Sequence, residues 1–159
     1  MVTFAPEGAY GHPDHIAISQ LATAAVVSAA HPDLVPENKA DQEPPHRVSK
    51  LYFMAWTKTM WAAYESAFGN LVMNIDGTER HTEPWPDWAI TTIIHTESYW
   101  PVVWKAVSCH QSQLPSYNKL QNLPKEHHLG LWGTQEYYRA FSLVNGGRKR
   151  ESDLFEGLR

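Results

Sequence analysis

Two histidines, His12 and His15, stand three residues apart where a glycine-rich run gives way to a helical pattern. The stretch is Gly-Ala-Tyr-Gly-His-Pro-Asp-His-Ile-Ala-Ile-Ser-Gln, residues 8–20. Pro13 suits the first position of a helix, where its missing N–H would have no intrahelical partner in any case. That reading puts His12 at the cap, Asp14 in the first turn and His15 just after it. Imidazoles three apart on a helix share a face. Such a pair can hold a metal, or divide the work between a metal and a substrate. The positive end of the helix dipole favours the Asp14 carboxylate and disfavours protonated imidazole. Neutral imidazole is the form that binds metal. The plain alternative is an ordinary helix start with two histidines on its surface.

The elements that would position this pair follow from the pattern on either side. Met1 to Phe4 reads as the end of a buried strand, with Pro6 to Gly11 as the loop at its carboxyl end. A strand, a glycine-rich loop and a helix is the order in which open α/β sheets present ligands. The helix runs from Pro13 to Ala30, with Ile18, Leu21, Ala22, Ala25, Val26 and Ala29 as its core-facing positions. His31 to Lys50 holds four prolines and reads as a surface loop. A second strand is expected at Leu51–Trp56 and a helix at Thr57–Phe68, stopped by Gly69. After a turn-rich stretch, Ala89–Thr96 is rich in β-branched residues and reads as a strand. Glu97 to Gln113 reads as a helix with Trp100, Val103, Trp104 and Val107 on its apolar stripe. A last helix is expected from Pro124 to Val144, followed by a charged, peripheral tail over residues 148–159.

Composition narrows the class. A chain of 159 residues has room for one domain with a substantial core. Seven Trp and seven Tyr supply large apolar surfaces, which marks a globular chain. The net charge of −4 offers no basic footprint for nucleic acid. With Cys109 alone, no internal disulfide can form, and a reducing compartment is expected. No apolar run is long enough for a membrane span, and no signal-peptide pattern is seen. The expected location is cytoplasmic.

The residues around the histidine pair sharpen the picture. Phe4-Ala5-Pro6-Glu7-Gly8-Ala9-Tyr10-Gly11-His12-Pro13-Asp14-His15 resembles the second signature of the LmbE-like (PIG-L) zinc-dependent N-deacetylases. The resemblance implies an α/β, Rossmann-like three-layer fold and metal-assisted hydrolysis of an acetamido group, with Zn2+ as cofactor. It further implies His15 as a zinc ligand and His12 as the contact to the developing oxyanion. Asp14 would tune or orient a neighbouring histidine, and Tyr10 matches a tyrosine that assists at the carbonyl or the leaving group. The substrate class implied is a small N-acetyl sugar conjugate.

The same family carries a first signature, Ala-His-Pro-Asp-Asp-Glu, that supplies further ligands and a base. Ala30-His31-Pro32-Asp33-Leu34 looks similar but follows a helix, not a strand, and Leu34 stands where a ligand Asp belongs. It is rejected as a helix-ending loop. Residues 1–147 therefore read as the C-terminal part of a single deacetylase domain with an incomplete fold. Two further stretches echo the family: Lys105 to Gln113, where His110 reads as structural, and Gly133 to Tyr138. Where the family more often has Asp, this chain has His95, so any role for His95 stays open. His127-His128 reads as solvated surface and Cys109 as a buried thiol. The alternative is a non-catalytic α/β remnant that binds metal weakly or meets a partner, or a second copy, at its incomplete sheet.

Overall fold

A computed structural model describes residues 1–32, 44–70, 72–75, 77–112, 120 and 122–159. Strand β1 (Val2–Phe4) leads through a tight loop into helix α1 (Pro13–Ala30), and β2 (Lys50–Met54) returns parallel to β1. Helix α2 (Lys58–Phe68) follows, capped by Thr57, whose side chain accepts from the Met60 N–H, and ended by Gly69 at φ +87°. A small antiparallel hairpin, β3 (Met73–Ile75) and β4 (Thr78–Arg80), lies within the turn-rich stretch. Then come β5 (Thr92–His95), α3 (Trp100–Ser108), α4 (Lys125–Trp132) and β6 (Thr134–Ser142). The main sheet has the order β1-β2-β6-β5, with β6 antiparallel to both of its neighbours. The fold is mixed α/β, with one parallel β1-α1-β2 unit beside an antiparallel half.

The largest departure from expectation is β6. A helix was expected from Pro124 to Val144, but it ends at Trp132. At Gly133 a Cβ would sit 2.6 Å from the Leu129 carbonyl oxygen, so only glycine fits the helix end. Beyond it Thr134, Tyr137, Tyr138 and Phe141 are strand formers. Both long flanks of β6 are paired, and that pairing overrides the helical spacing of Leu131, Trp132, Gln135 and Arg139. The strand of Ala89–Thr96 is shorter than expected, because residues 87–89 form a 3-10 turn. The helix of Glu97–Gln113 opens with a 3-10 turn and ends at Ser108; Gln113, like Asp33 and Leu34, lies outside the described residues.

Helix α1 has its expected bounds; of its expected core-facing positions Ala22 and Val26 are covered, whereas Ile18, Leu21, Ala25 and Ala29 are exposed. The side facing the sheet is His15, Ser19, Ala22 and Val26, with Ser19 and Val26 buried. Ile18 and Leu21 point outward, 47% and 66% exposed. Small Ser19 and Ala22 let the helix lie close to the sheet, where Val26 meets Ala5, Leu51 and Phe53. A second core joins Ala67 of α2, Leu120, and Leu131 and Trp132 of α4, with Trp100, Val103 and Trp104 packed on it. His128, expected on the surface, belongs to this region: it is 6% exposed, with its ring 5.0–5.2 Å from those of Trp100, Trp104 and Trp132. Burial holds its pKa below the ordinary histidine value. Cys109 and His110 go the other way and are exposed at the end of α3.

The tail expected to be peripheral supplies a buried carboxylate. Glu151 is 2% exposed. Its Oε1 accepts from Lys50 Nζ at 2.6 Å, Arg139 Nη1 at 2.8 Å and Asn145 Nδ2 at 2.6 Å. Its Oε2 accepts from Tyr52 and Thr92 hydroxyls, each at 2.8 Å. The backbone joins in, with Glu151 N–H to Thr91 O at 2.8 Å and Ile93 N–H to Glu151 O at 2.9 Å. One residue thereby ties β2, β5 and β6 together. No helix among the described residues is long and apolar enough to cross a membrane.

Candidate active site

The loop between β1 and α1 is shaped by Gly8. Its φ is +72°, a conformation that L side chains rarely adopt. Its N–H donates to the Ala5 carbonyl at 2.9 Å, and its own carbonyl accepts from His12 N–H at 3.3 Å and from His15 Nδ1 at 3.2 Å. A Cβ at Gly8 would stand 2.6 Å from Ile16 Cγ1 and 2.8 Å from the His12 carbonyl oxygen. Gly8→Ala is therefore expected to cost about 1–3 kcal/mol and to dislodge the His15 ring. Chemical denaturation and the His15 imidazole NMR signals check both parts.

His12 and His15 do come together, with ring centroids 4.7 Å apart and planes 29° from parallel. Their protons are placed oppositely. A backbone carbonyl can only accept, so the bond to Gly8 O puts the His15 proton on Nδ1 and leaves the lone pair on Nε2. A backbone N–H can only donate, so the bond from Asp14 N–H at 3.1 Å takes the His12 Nδ1 lone pair. Neutral His12 then carries its proton on Nε2. One imidazole offers a ligand lone pair and the other a hydrogen-bond donor. His15 also stacks on Phe4, with centroids 3.8 Å apart and planes within 6°. Burial keeps its pKa below the ordinary value, against the opposing pull of the Gly8 hydrogen bond. The neutral form is favoured.

Asp14 meets His12 through its backbone N–H, and its side chain is exposed in the first turn of α1. The orienting contact to His12 thus comes from the main chain, while the Asp14 carboxylate acts on His15 through its charge, pulling the imidazole pKa upward against burial. Tyr10 packs edge-on against both imidazoles, 6.0 Å from His12 and 5.5 Å from His15. The segment after β4 closes one side: Thr82 Oγ1 donates to the Ala9 carbonyl, and Trp85 Nε1 donates to Glu7 Oε1 at 2.7 Å. Trp56, read from sequence only as the end of a strand, sits beside Tyr10 at 6.5 Å. Its signal was its place just past the carboxyl end of a strand parallel to β1, where ligands of α/β sheets gather. His95 lies elsewhere, exposed and paired with Glu97 at 3.1 Å.

The fit of a metal to these residues is partial. His15 Nε2 has the lone pair that a zinc ligand needs. Among the described residues, however, no three side chains of His, Cys, Asp or Glu come together as a metal site. A catalytic zinc takes three protein ligands. The described residues do not fit a complete site.

No family model matches the chain. It is similar to the 1D-myo-inositol 2-acetamido-2-deoxy-alpha-D-glucopyranoside deacetylase of Streptomyces avermitilis, at 32% identity over 168 residues, covering 99% of this chain and 53% of that protein. The protein of the same name from Rhodococcus jostii is 36% identical over 122 residues, covering 72% of this chain and 38% of the relative. A mycothiol S-conjugate amidase of Streptomyces coelicolor is 25% identical over 173 residues, covering 100% and 55%. The chain spans about half the length of the relatives that match most of it.

Proposed function

We propose that this chain contributes the histidine half of an amide-hydrolysing site of the LmbE-like (PIG-L) type, acting on the acetamido group of a small N-acetylglucosamine conjugate. The observation that carries the reading is the opposite protonation of His12 and His15. An acetamide gains negative charge on its oxygen when attacked, and a fixed N–H donor at that oxygen stabilises it. His12 Nε2–H is such a donor, held by the Asp14 backbone. The Tyr10 ring flanks both imidazoles, and its hydroxyl would assist at the carbonyl or the departing amine. The similarity to proteins named as deacetylases of an acetamido sugar and as an amidase supports the reaction class.

Zinc would activate the attacking water, and His15 would be one of its ligands. The other ligands and the base would come from the part of such an enzyme that this chain does not match. Alone, the chain is expected to bind zinc weakly and to release no measurable acetate. Fused behind the unmatched part of the Streptomyces avermitilis relative, it is expected to release acetate from that relative's substrate. Stoichiometric zinc at submicromolar affinity in the chain alone would overturn this division of the ligands. A folded but inactive fusion would overturn the function.

A further inference from the structure

Trp56 is placed and held as a ligand-facing residue would be. It follows β2, whose carboxyl end lies beside the loop of Tyr10, His12 and His15. Its backbone is clamped on both sides: Trp85 N–H donates to the Trp56 carbonyl at 2.8 Å, and Glu136 takes the N–H groups of Ala55 and Thr57 at 3.0 and 3.2 Å. Its ring stacks on Tyr64, with centroids 4.2 Å apart and planes 18° from parallel. Trp61 meets it edge-on at 6.1 Å. Burial of its hydroxyl pushes the Tyr64 pKa up to about 12, and the stacked ring backs one face of the indole. An indole locked in this way cannot swing, yet it remains partly exposed. Rigid aromatic surface with a few convergent polar groups is what small-molecule sites are made of.

We propose that Trp56 is the platform on which the sugar ring of the acetamido-glycoside lies while its amide faces His12 and His15. This rests on the reading of the site given above and adds the residue that would distinguish a pyranoside from a bare acetamide. A pyranose presents a face of C–H groups, and an indole offers a broad face of negative π density to receive them. Tyr10 spans the distance, 6.5 Å from Trp56 and 5.5 Å from His15. The indole, the Tyr10 ring and the two imidazoles thus form a continuous row of rings, along which a sugar on the indole would direct its acetamido arm.

The test uses the whole chain and two probes, the methyl glycoside of N-acetylglucosamine and acetamide, observed by proton NMR. In the wild type, pyranose ring protons are expected to shift upfield in the indole ring current. Trp56→Leu is expected to weaken the glycoside about tenfold and leave acetamide unchanged. Trp88→Ala, at an 85% exposed tryptophan, should change neither. Equal glycoside affinity in the wild type and folded Trp56→Leu would overturn the proposal and leave the site reading standing. So would acetamide binding without glycoside binding. If the wild type binds neither probe, the platform proposal is overturned, while the site reading is decided separately by acetate release from the fusion. Where Trp56→Leu does not fold, the wild-type ring-current shift decides: its presence supports the platform and its absence overturns it.

Discussion

Glu151→Gln is expected to destabilise the protein by about 3–5 kcal/mol, the usual consequence of removing one member of a buried ionic cluster. Glutamine keeps the shape but not the charge, so Lys50 and Arg139 remain in the interior without a counter-ion. Lys50 is 2% exposed and has nowhere to go. A domain of this size has about 5–15 kcal/mol in all, so the loss should appear directly in a denaturant melt. The same cluster predicts a response to acid. Burial alone would raise the Glu151 pKa, but hydrogen bonds from Lys50, Asn145, Thr92 and Tyr52 outweigh it and bring it to about 2. A carboxyl depressed in the folded state stabilises above its unfolded pKa and ceases to do so as pH falls through the folded one. About 3 kcal/mol should therefore disappear between about pH 5 and pH 2 in the wild type. Glu151→Gln should lack that part of the pH dependence. A variant as stable as the wild type would show that the network is incidental.

The second large effect concerns the two histidines, tested in the fusion that completes the site. His15→Ala should abolish both zinc binding and turnover, because it removes a ligand lone pair. His12→Ala should leave zinc bound and lower kcat by about 10²–10³, the usual cost of one lost oxyanion donor. The order carries the content. If His12→Ala loses the metal and His15→Ala keeps it, the roles are exchanged. Nitrogen NMR of the chain alone checks the premise, since His15 should be protonated at Nδ1 and His12 at Nε2.

Much of the candidate site's geometry was legible because it is local. His12, Pro13, Asp14 and His15 lie within one turn, and a proline at the first helical position fixes the phase of everything after it. The structure adds what spacing cannot express. The sign of each imidazole's tautomer depends on Gly8 and Asp14 backbone groups, which carry no identity in the sequence. Trp56 lies more than forty residues away in sequence and arrives through the parallel pairing of β1 and β2. The fold was legible where elements pack on one side, as in α2 with Thr57 and Gly69 at its ends. It was not legible in β6, whose strand state is imposed by partners far away in the chain. Glu151 and His128 misled for a related reason. A charged residue in a charged stretch and one of two adjacent histidines both read as solvated, and only their tertiary neighbours bury them.

The position of β6 also governs when the sheet can be built. Strands β2 and β5 are not paired with each other; β6 lies between them, yet it leaves the ribosome after both. Until residue 137 has emerged, β5 lacks the residues it pairs with, although β1 and β2 can already meet. The carboxylate that ties the three strands comes later still, with 101 residues separating Lys50 from Glu151. Contacts of such long range slow folding, because the loop must close before any contact compensates for its lost entropy. During synthesis, β2 must therefore wait with one edge open, and a ribosome paused before β6 holds a chain poised to pair with whatever strand comes first.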